Sequence, residues 1–185
     1  PRSSSAASDV YKRQLQGGVV GTVMSNLGFE QALDRLGIPF GRANVGDRNI
    51  LAQLQQNGWQ LGGEPSGHIL TLDLATTGDA IIAALQVIVP VVEQGLSLQV
   101  LAAGMDKFPQ VLENIKVPFP GMLCNDERLV ADIRDSESQL AGRGRILVRP
   151  SGTEPLLRIM VEGDDLKEVS QIARTLAVRA RELSA

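Results

Sequence analysis

The sequence predicts a two-part α/β protein: an α/β/α layered domain, then a smaller α+β domain whose sheet is backed by a helix. Three observations lead there. From Gly17 to Gly104, aliphatic strand-like runs alternate with segments of helical period, as in a layered α/β domain. Beyond Lys107 the rhythm changes to a strand, a helix, two strands around a turn and a last helix. That last helix carries Leu166, Val169, Ile172, Ala173, Leu176, Ala180 and Leu183 on one face, suited to covering a small sheet.

Each element has its own local reason. Val19 to Val23 reads as a buried strand; Phe29, Ala32, Leu33 and Leu36 then fall at helical spacing before Gly37 stops the helix. Phe40 to Val45 is a short strand, and Asp47 to Asn57 an amphipathic helix ended by Gly58. Trp59 to Leu61 is expected as a strand entering a loop over Gly62 to His68, with Ile69 to Leu72 leaving it. Thr77-Gly78-Asp79 can open an apolar helix through Glu93, and Ser97 can cap a shorter one through Ala103. The apolar run Ala80 to Val92 contains Gln86 and Pro90, too short and too interrupted to span a bilayer. It reads as a deeply buried helix.

In the second part, Val111 to Val117 is a strand, Pro118 and Pro120 break it, and Asp126 to Leu140 is a helix. Ile146-Leu147-Val148 and Leu156 to Val161 are aliphatic strands flanking a turn. The domains are therefore expected at 15–105 and 109–185, with the boundary between Gly104 and Pro109. Residues 1–14 are small and polar, show neither a two-residue nor a 3.6-residue apolar period, and are expected to be disordered or extraneous.

Composition narrows the function. Eighteen basic against 21 acidic side chains leave a formal charge of −3, and aromatic residues make up only 3%. Neither the field nor the stacking surface of a nucleic-acid binder is present. Cys124 is the only cysteine, so the chain forms no internal disulfide; with no charged start leading into an apolar core, a reducing cytoplasm is the expected setting.

Two motifs carry chemistry. Arg149-Pro150-Ser151-Gly152-Thr153-Glu154-Pro155, with Arg158 after it, gathers two guanidinium forks, two hydroxyls and the amides of a Gly-containing turn. Each is a donor suited to a tetrahedral dianion, so this stretch is expected to grip a phosphate. Gly62-Gly63-Glu64-Pro65-Ser66-Gly67-His68 offers close backbone approach, a carboxylate to accept from sugar hydroxyls and a hydroxyl that donates and accepts. That chemistry suits a hexose. His68, the only histidine, could act as acid or base or could simply orient a neighbour. Asp47-Arg48 reads equally as a ligand-facing pair and as a capped helix start.

These two motifs, in this order, resemble the C-terminal half of the α-D-phosphohexomutases. Val20 to Gly28, Leu36 to Phe40 and Val45 to Arg48 are most similar to that superfamily's bacterial amino-sugar branch. The resemblance implies its third domain, which contacts the sugar, and its fourth, which holds phosphate. It assigns Arg149, Ser151, Gly152, Thr153 and Arg158 to the non-reacting phosphate, Glu64 and Ser66 to the sugar, and His68 to a candidate catalytic role. Pro65 stands where the family often has an amide side chain.

The implied activity interconverts glucosamine 6-phosphate and glucosamine 1-phosphate, on the way to UDP-N-acetylglucosamine, through a phosphoserine, a hexosamine 1,6-bisphosphate intermediate and Mg²⁺. The family's serine loop and Asp-rich magnesium loop lie in its first two domains, and neither motif occurs in this chain. The phosphoryl donor and the metal ligands are thus expected in N-terminal domains of the same enzyme, outside this chain. Branches acting on other hexoses, and a non-catalytic sugar-phosphate-binding module, are the alternatives.

Overall fold

Val19 and Val20 are adjacent, both buried, and face opposite sides of one sheet, because successive side chains of a strand alternate. A strand buried on both faces needs a layer on each, and that requirement organises the first unit. The computed structural model describes residues 15–184, so the expectation for residues 1–14 lies outside the described residues. The chain divides into two compact units between Asp106 and Lys107.

The first unit has a four-stranded sheet in the order β2-β1-β3-β4: β1 is Val19–Thr22, β2 Phe40–Ala43, β3 Leu61–Gly63 and β4 Ile69–Thr71. Strands β2 and β3 run parallel to the central β1, and β4 is antiparallel to β3. Helix α1 (Leu27–Arg35) places Phe29 and Leu33 with Val19 and Ile38 on one face. Helix α2 (Asp47–Asn57) places Ile50 and Leu54 with Val20, Ala43 and Leu70 on the other. The result is the α/β/α layering that the alternating pattern predicts.

Two local expectations shift. The strand before the Gly-rich loop is Leu61–Gly63, not Trp59 to Leu61. Gly62 belongs inside the sheet because a Cβ there would lie 2.6 Å from Ile50 and 2.9 Å from the Val20 carbonyl oxygen. The N-cap position of α2 falls on Gly46, at φ 115, so Asp47 is the first helical residue and not the cap.

Helix α3 (Ala80–Gln94), capped by Asp79, corrects the expectation of a deeply buried helix. None of its residues is buried; Ile81 and Val92 are each 74% exposed, and Leu85 and Ile88 51%. It packs on β4 without joining either apolar cluster, because α1 and α2 already cover the two faces of the sheet. A short helix, α4 (Leu98–Ala102), follows, capped by Ser97.

The second unit is a three-stranded antiparallel sheet in the order β5-β7-β6, with β5 Gln110–Lys116, β6 Gly144–Pro150 and β7 Leu156–Gly163. A short helix the sequence reading missed, α5 (Pro120–Leu123), starts at one of the two prolines read as a break, since proline's fixed φ suits a first helical position. Helix α6 (Glu127–Leu140) is capped by Asp126, whose carboxyl the Arg128 guanidinium holds down at about 2. Helix α7 (Leu166–Ser184) buries Val169, Ile172, Ala173, Leu176, Ala177 and Ala180 against Leu157, Ile159 and Val161 of β7. Leu166 departs from the expected stripe; it lies in the first turn and is 57% exposed.

Trp59, the only tryptophan, packs against the cluster around Leu54 and Leu70 and so reports on the first unit. In urea unfolding followed by its fluorescence, Leu70→Ala is expected to cost about 2–5 kcal/mol. Ile81→Ala on exposed α3 should stay within about 0.5 kcal/mol. Equal losses from the two variants would contradict the placement of α3.

Candidate functional site

Because β1, β2 and β3 are parallel, the segments that follow them emerge at one edge of the sheet. That edge is where open α/β sheets build ligand sites. After β3, the chain makes a β-turn closed by Gly67 N–H donating to the Glu64 carbonyl at 3.0 Å, with Pro65 and Ser66 in the centre. Proline's φ is preset for the position after the first turn residue, which is why Pro65 fits this turn. Gly67 follows at φ 97, in the region that favours glycine.

The turn brings Glu64, Ser66 and His68 together. His68 Nδ1 lies 3.2 Å from Glu64 Oε1 and 3.1 Å from Ser66 Oγ. The Glu64 side chain is only 9% exposed, whereas the His68 ring is 62% exposed. The Gly46 amide donates to the other Glu64 oxygen at 3.4 Å, joining the turn to the loop ahead of α2. Glu64 therefore orients a ring and a loop, and Ser66 and the outer imidazole edge are left facing solvent. Asp47 Oδ1 accepts from the Arg48 amide at 2.7 Å, and both residues sit exposed at the start of α2. A depression of about 450 Å³ beside β2, lined by Asn44, Asn49 and Gln53, has none of Glu64, Ser66 or His68 in its wall.

In the second unit the geometry is set by strand register. Arg149 of β6 is directly opposite Arg158 of β7, and Pro150 is opposite Leu157. Leu157, Ile159 and Val161 face the helical core, so the alternation of β7 sends Arg158 to the other face, with Arg149 beside it. Like charges directly opposite one another in a sheet repel. Arg158 reaches Glu154 only at 3.4 Å, and among the described residues Arg149 has no ion-pair partner. Glu162 is not available to either; its carboxylate accepts from Arg145 and, at 3.1 Å, from Gln110.

Two polar atoms of this loop, Ser151 Oγ and Arg158 Nε, are buried without a hydrogen-bond partner. Leaving such groups unpaired is costly, and ones that persist call for an explanation such as a ligand. The Ser151 amide closes the hairpin by donating to Leu156 O at 2.8 Å, leaving Gly152 and Thr153 exposed at the tip. Arg149, Ser151, Gly152, Thr153 and Arg158 thus share one end of the β6–β7 hairpin, while Glu64, Ser66 and His68 share the loop after β3.

Both described turns fall within regions matched by known family models. The model described as phosphoglucomutase/phosphomannomutase, alpha/beta/alpha domain III, matches residues 4–108, and that for the C-terminal domain matches 101–178. The chain belongs to the phosphoglucomutase/phosphomannomutase family. The phosphoglucosamine mutase of Acinetobacter baylyi is 54% identical over 164 residues, covering 89% of this chain and 37% of that protein. That of Alkalilimnicola ehrlichii is 53% identical over 172 residues, covering 92% and 38% respectively. The chain therefore spans less than two-fifths of the length of these relatives. In fold, it is similar to Aspergillus fumigatus N-acetylphosphoglucosamine mutase in complex with GlcNAc-6P and magnesium, with a TM-score of 0.80 at 19% identity over 97% of this chain and 41% of that one.

Mg²⁺ is the family's metal, but no group of three or more His, Cys, Asp or Glu able to hold a cation occurs among the described residues. The described residues do not fit that ion. No helix among the described residues is long and apolar enough to cross a membrane.

Sequence reading missed Arg42 and Glu30. Arg42 donates to two carbonyls of the β1–α1 turn and to Glu30, and no motif marks either residue. An arginine in a half-buried strand beside Phe40 was the available signal.

If an anion separates the opposed guanidiniums, Arg149→Met should not destabilise the protein in phosphate-free buffer and should raise its stability by about 0.2–1 kcal/mol. Inorganic phosphate should then raise the melting temperature of the unaltered chain but not that of the variant. Phosphate protection retained in Arg149→Met would show that the ion binds elsewhere.

Proposed function

We propose that this chain is the sugar- and phosphate-holding part of a phosphoglucosamine mutase, the enzyme that interconverts glucosamine 6-phosphate and glucosamine 1-phosphate. The observation that carries the phosphate half is the pair of opposed arginines with Ser151 Oγ and Arg158 Nε buried and unpartnered. A phosphate dianion supplies oxygens for both atoms and cancels the repulsion between the two guanidiniums. Gly152 and Thr153 add amides and a hydroxyl at the tip of the turn. This phosphate is the one that does not react, so its role is to anchor the ligand.

For the sugar, Ser66 and His68 are the exposed donors and acceptors, held by Glu64. With Nδ1 turned to Glu64 and Ser66, His68 presents Nε2 outward, where it can accept a proton from or return one to a sugar hydroxyl. Identity above 50% to two bacterial phosphoglucosamine mutases supports the amino sugar over other hexoses. The phosphoserine donor and Mg²⁺ belong in this reading to N-terminal domains of the same enzyme, which would also complete the route through hexosamine 1,6-bisphosphate. A cytoplasmic setting goes with it.

Calorimetric titration with glucosamine 6-phosphate tests the proposal. Binding should weaken about ten- to a hundredfold in Arg158→Ala, the loss of one charge-assisted contact. No binding by the unaltered chain, or binding indifferent to Arg158→Ala, would refute it. The chain alone, given magnesium and a hexosamine bisphosphate, should show no mutase turnover, because the phosphoryl donor is not among its residues; measurable turnover would contradict that assignment.

A further inference from the structure

The turn after β1 is bound more tightly than its length requires. Thr22 and Ser25 are 0% and 5% exposed, and the Thr22 amide donates to Ser25 Oγ at 2.9 Å. The Met24 amide donates to Thr22 Oγ1 at 3.1 Å, and the Ser25 amide to Thr22 O at 2.9 Å. Onto this turn Arg42, from the neighbouring β2, delivers Nη1 to Thr22 O at 3.0 Å and to Ser25 O at 2.7 Å. Its Nε and Nη2 both donate to Glu30 Oε2 of α1, at 3.0 and 2.6 Å. The guanidinium lies 5.2 Å from the centre of the Phe40 ring, which packs edge-on against Phe29.

One side chain therefore fixes the turn, the helix that follows it and the adjacent strand in a single arrangement. Closing a four-residue strand-to-helix turn needs no such brace, so the rigidity calls for another reason. Its position supplies one. β1 is the central strand, so its turn lies between the loop after β2, which carries Gly46, and the turn after β3, which carries Glu64. The Gly46–Glu64 hydrogen bond joins the two outer loops past the end of β1. The β1–α1 turn is thus the middle of the three loops at the edge that carries Ser66 and His68.

We infer that Arg42, paired with Glu30, is a positioning residue that holds the Val23–Asn26 turn as the middle wall of the sugar site, so that it governs affinity for the sugar and not for the phosphate. The inference rests on the proposed hexosamine phosphate reading. A guanidinium is needed because only its fork reaches two carbonyls and a carboxylate at once; a lysine ammonium is a point donor.

The test titrates the full chain and its Arg42→Met, Arg42→Lys and Glu30→Gln variants with glucosamine 6-phosphate and, separately, with inorganic phosphate. Arg42→Met should lower affinity for glucosamine 6-phosphate about tenfold and leave that for inorganic phosphate within about twofold. Arg42→Lys should recover part of the loss, and Glu30→Gln, which keeps both carbonyl contacts, should cost about threefold. Trp59 fluorescence reports whether each variant is folded; should Arg42→Met not fold, Glu30→Gln decides. Folded variants with unchanged affinity for glucosamine 6-phosphate, or with equal losses for both ligands, overturn the inference while leaving the proposed function intact. An unaltered chain that binds glucosamine 6-phosphate no more tightly than inorganic phosphate overturns both.

Discussion

Two arginines face each other across the β6–β7 ladder, and the chemistry of the second unit depends on that opposition. Strand pairing fixes their separation, and α7 fixes the strands by burying alternate residues of β7. The two backbone positions cannot move apart without breaking register, and a register slip of one would send every core residue of β7 to the wrong face. Glu162 is the acid on the same face that could have neutralised them, but it is fully buried and held by Arg145 and Gln110. The sheet therefore keeps a cationic pair that only Glu154, at 3.4 Å from Arg158, partly offsets, and a multivalent anion would complement it.

The first unit solves a different problem with a similar economy of parts. In the proposed reading the ligand there is a sugar, whose hydroxyls donate and accept at several angles, so such a site needs orientation more than charge. Three loops emerge at the same edge because three strands are parallel, and each is fixed by a side chain acting on a neighbouring loop. Glu64 ties the loop after β3 to the one after β2, and Arg42 reaches from β2 to the turn after β1. Both carboxylate and guanidinium act on backbone groups of those loops.

Much of this was legible in the sequence, and the parts that were not have physical causes. The C-terminal end of Asp47–Asn57 was readable because Gly58 adopts the left-handed conformation that stops a helix, at φ 66. The donor-rich turn between β6 and β7 was readable as a candidate phosphate grip because its donors are contiguous. The opposition of Arg149 and Arg158 was not, since it depends on register across a turn. Glu64 could be seen as a candidate sugar acceptor, but not as the tether it is, because its Gly46 partner is 18 positions away. Arg42 and Glu30, 12 apart, carry no motif at all. The depth of α3 was misread because apolar content measures how strongly a helix seeks cover, and cover depends on what the rest of the fold supplies. Here the sheet's two faces were already taken by α1 and α2.

A net charge of −3 shows why the arrangement must be local. At physiological ionic strength exposed charges are screened beyond about 8 Å, so the acidic surplus would neither repel an anion at the proposed site nor guide it there. Affinity then has to come from groups within contact distance. That favours donors held in advance over donors that reorganise, because each side chain ordered on binding costs about 0.5–1.5 kcal/mol. The backbones of Arg149 and Arg158 are held by the strands they sit on, and the Ser151 amide is already spent closing the hairpin. The freedom left to the site is concentrated at Gly152 and Thr153, the two positions where a turn can adjust to its ligand without disturbing the sheet.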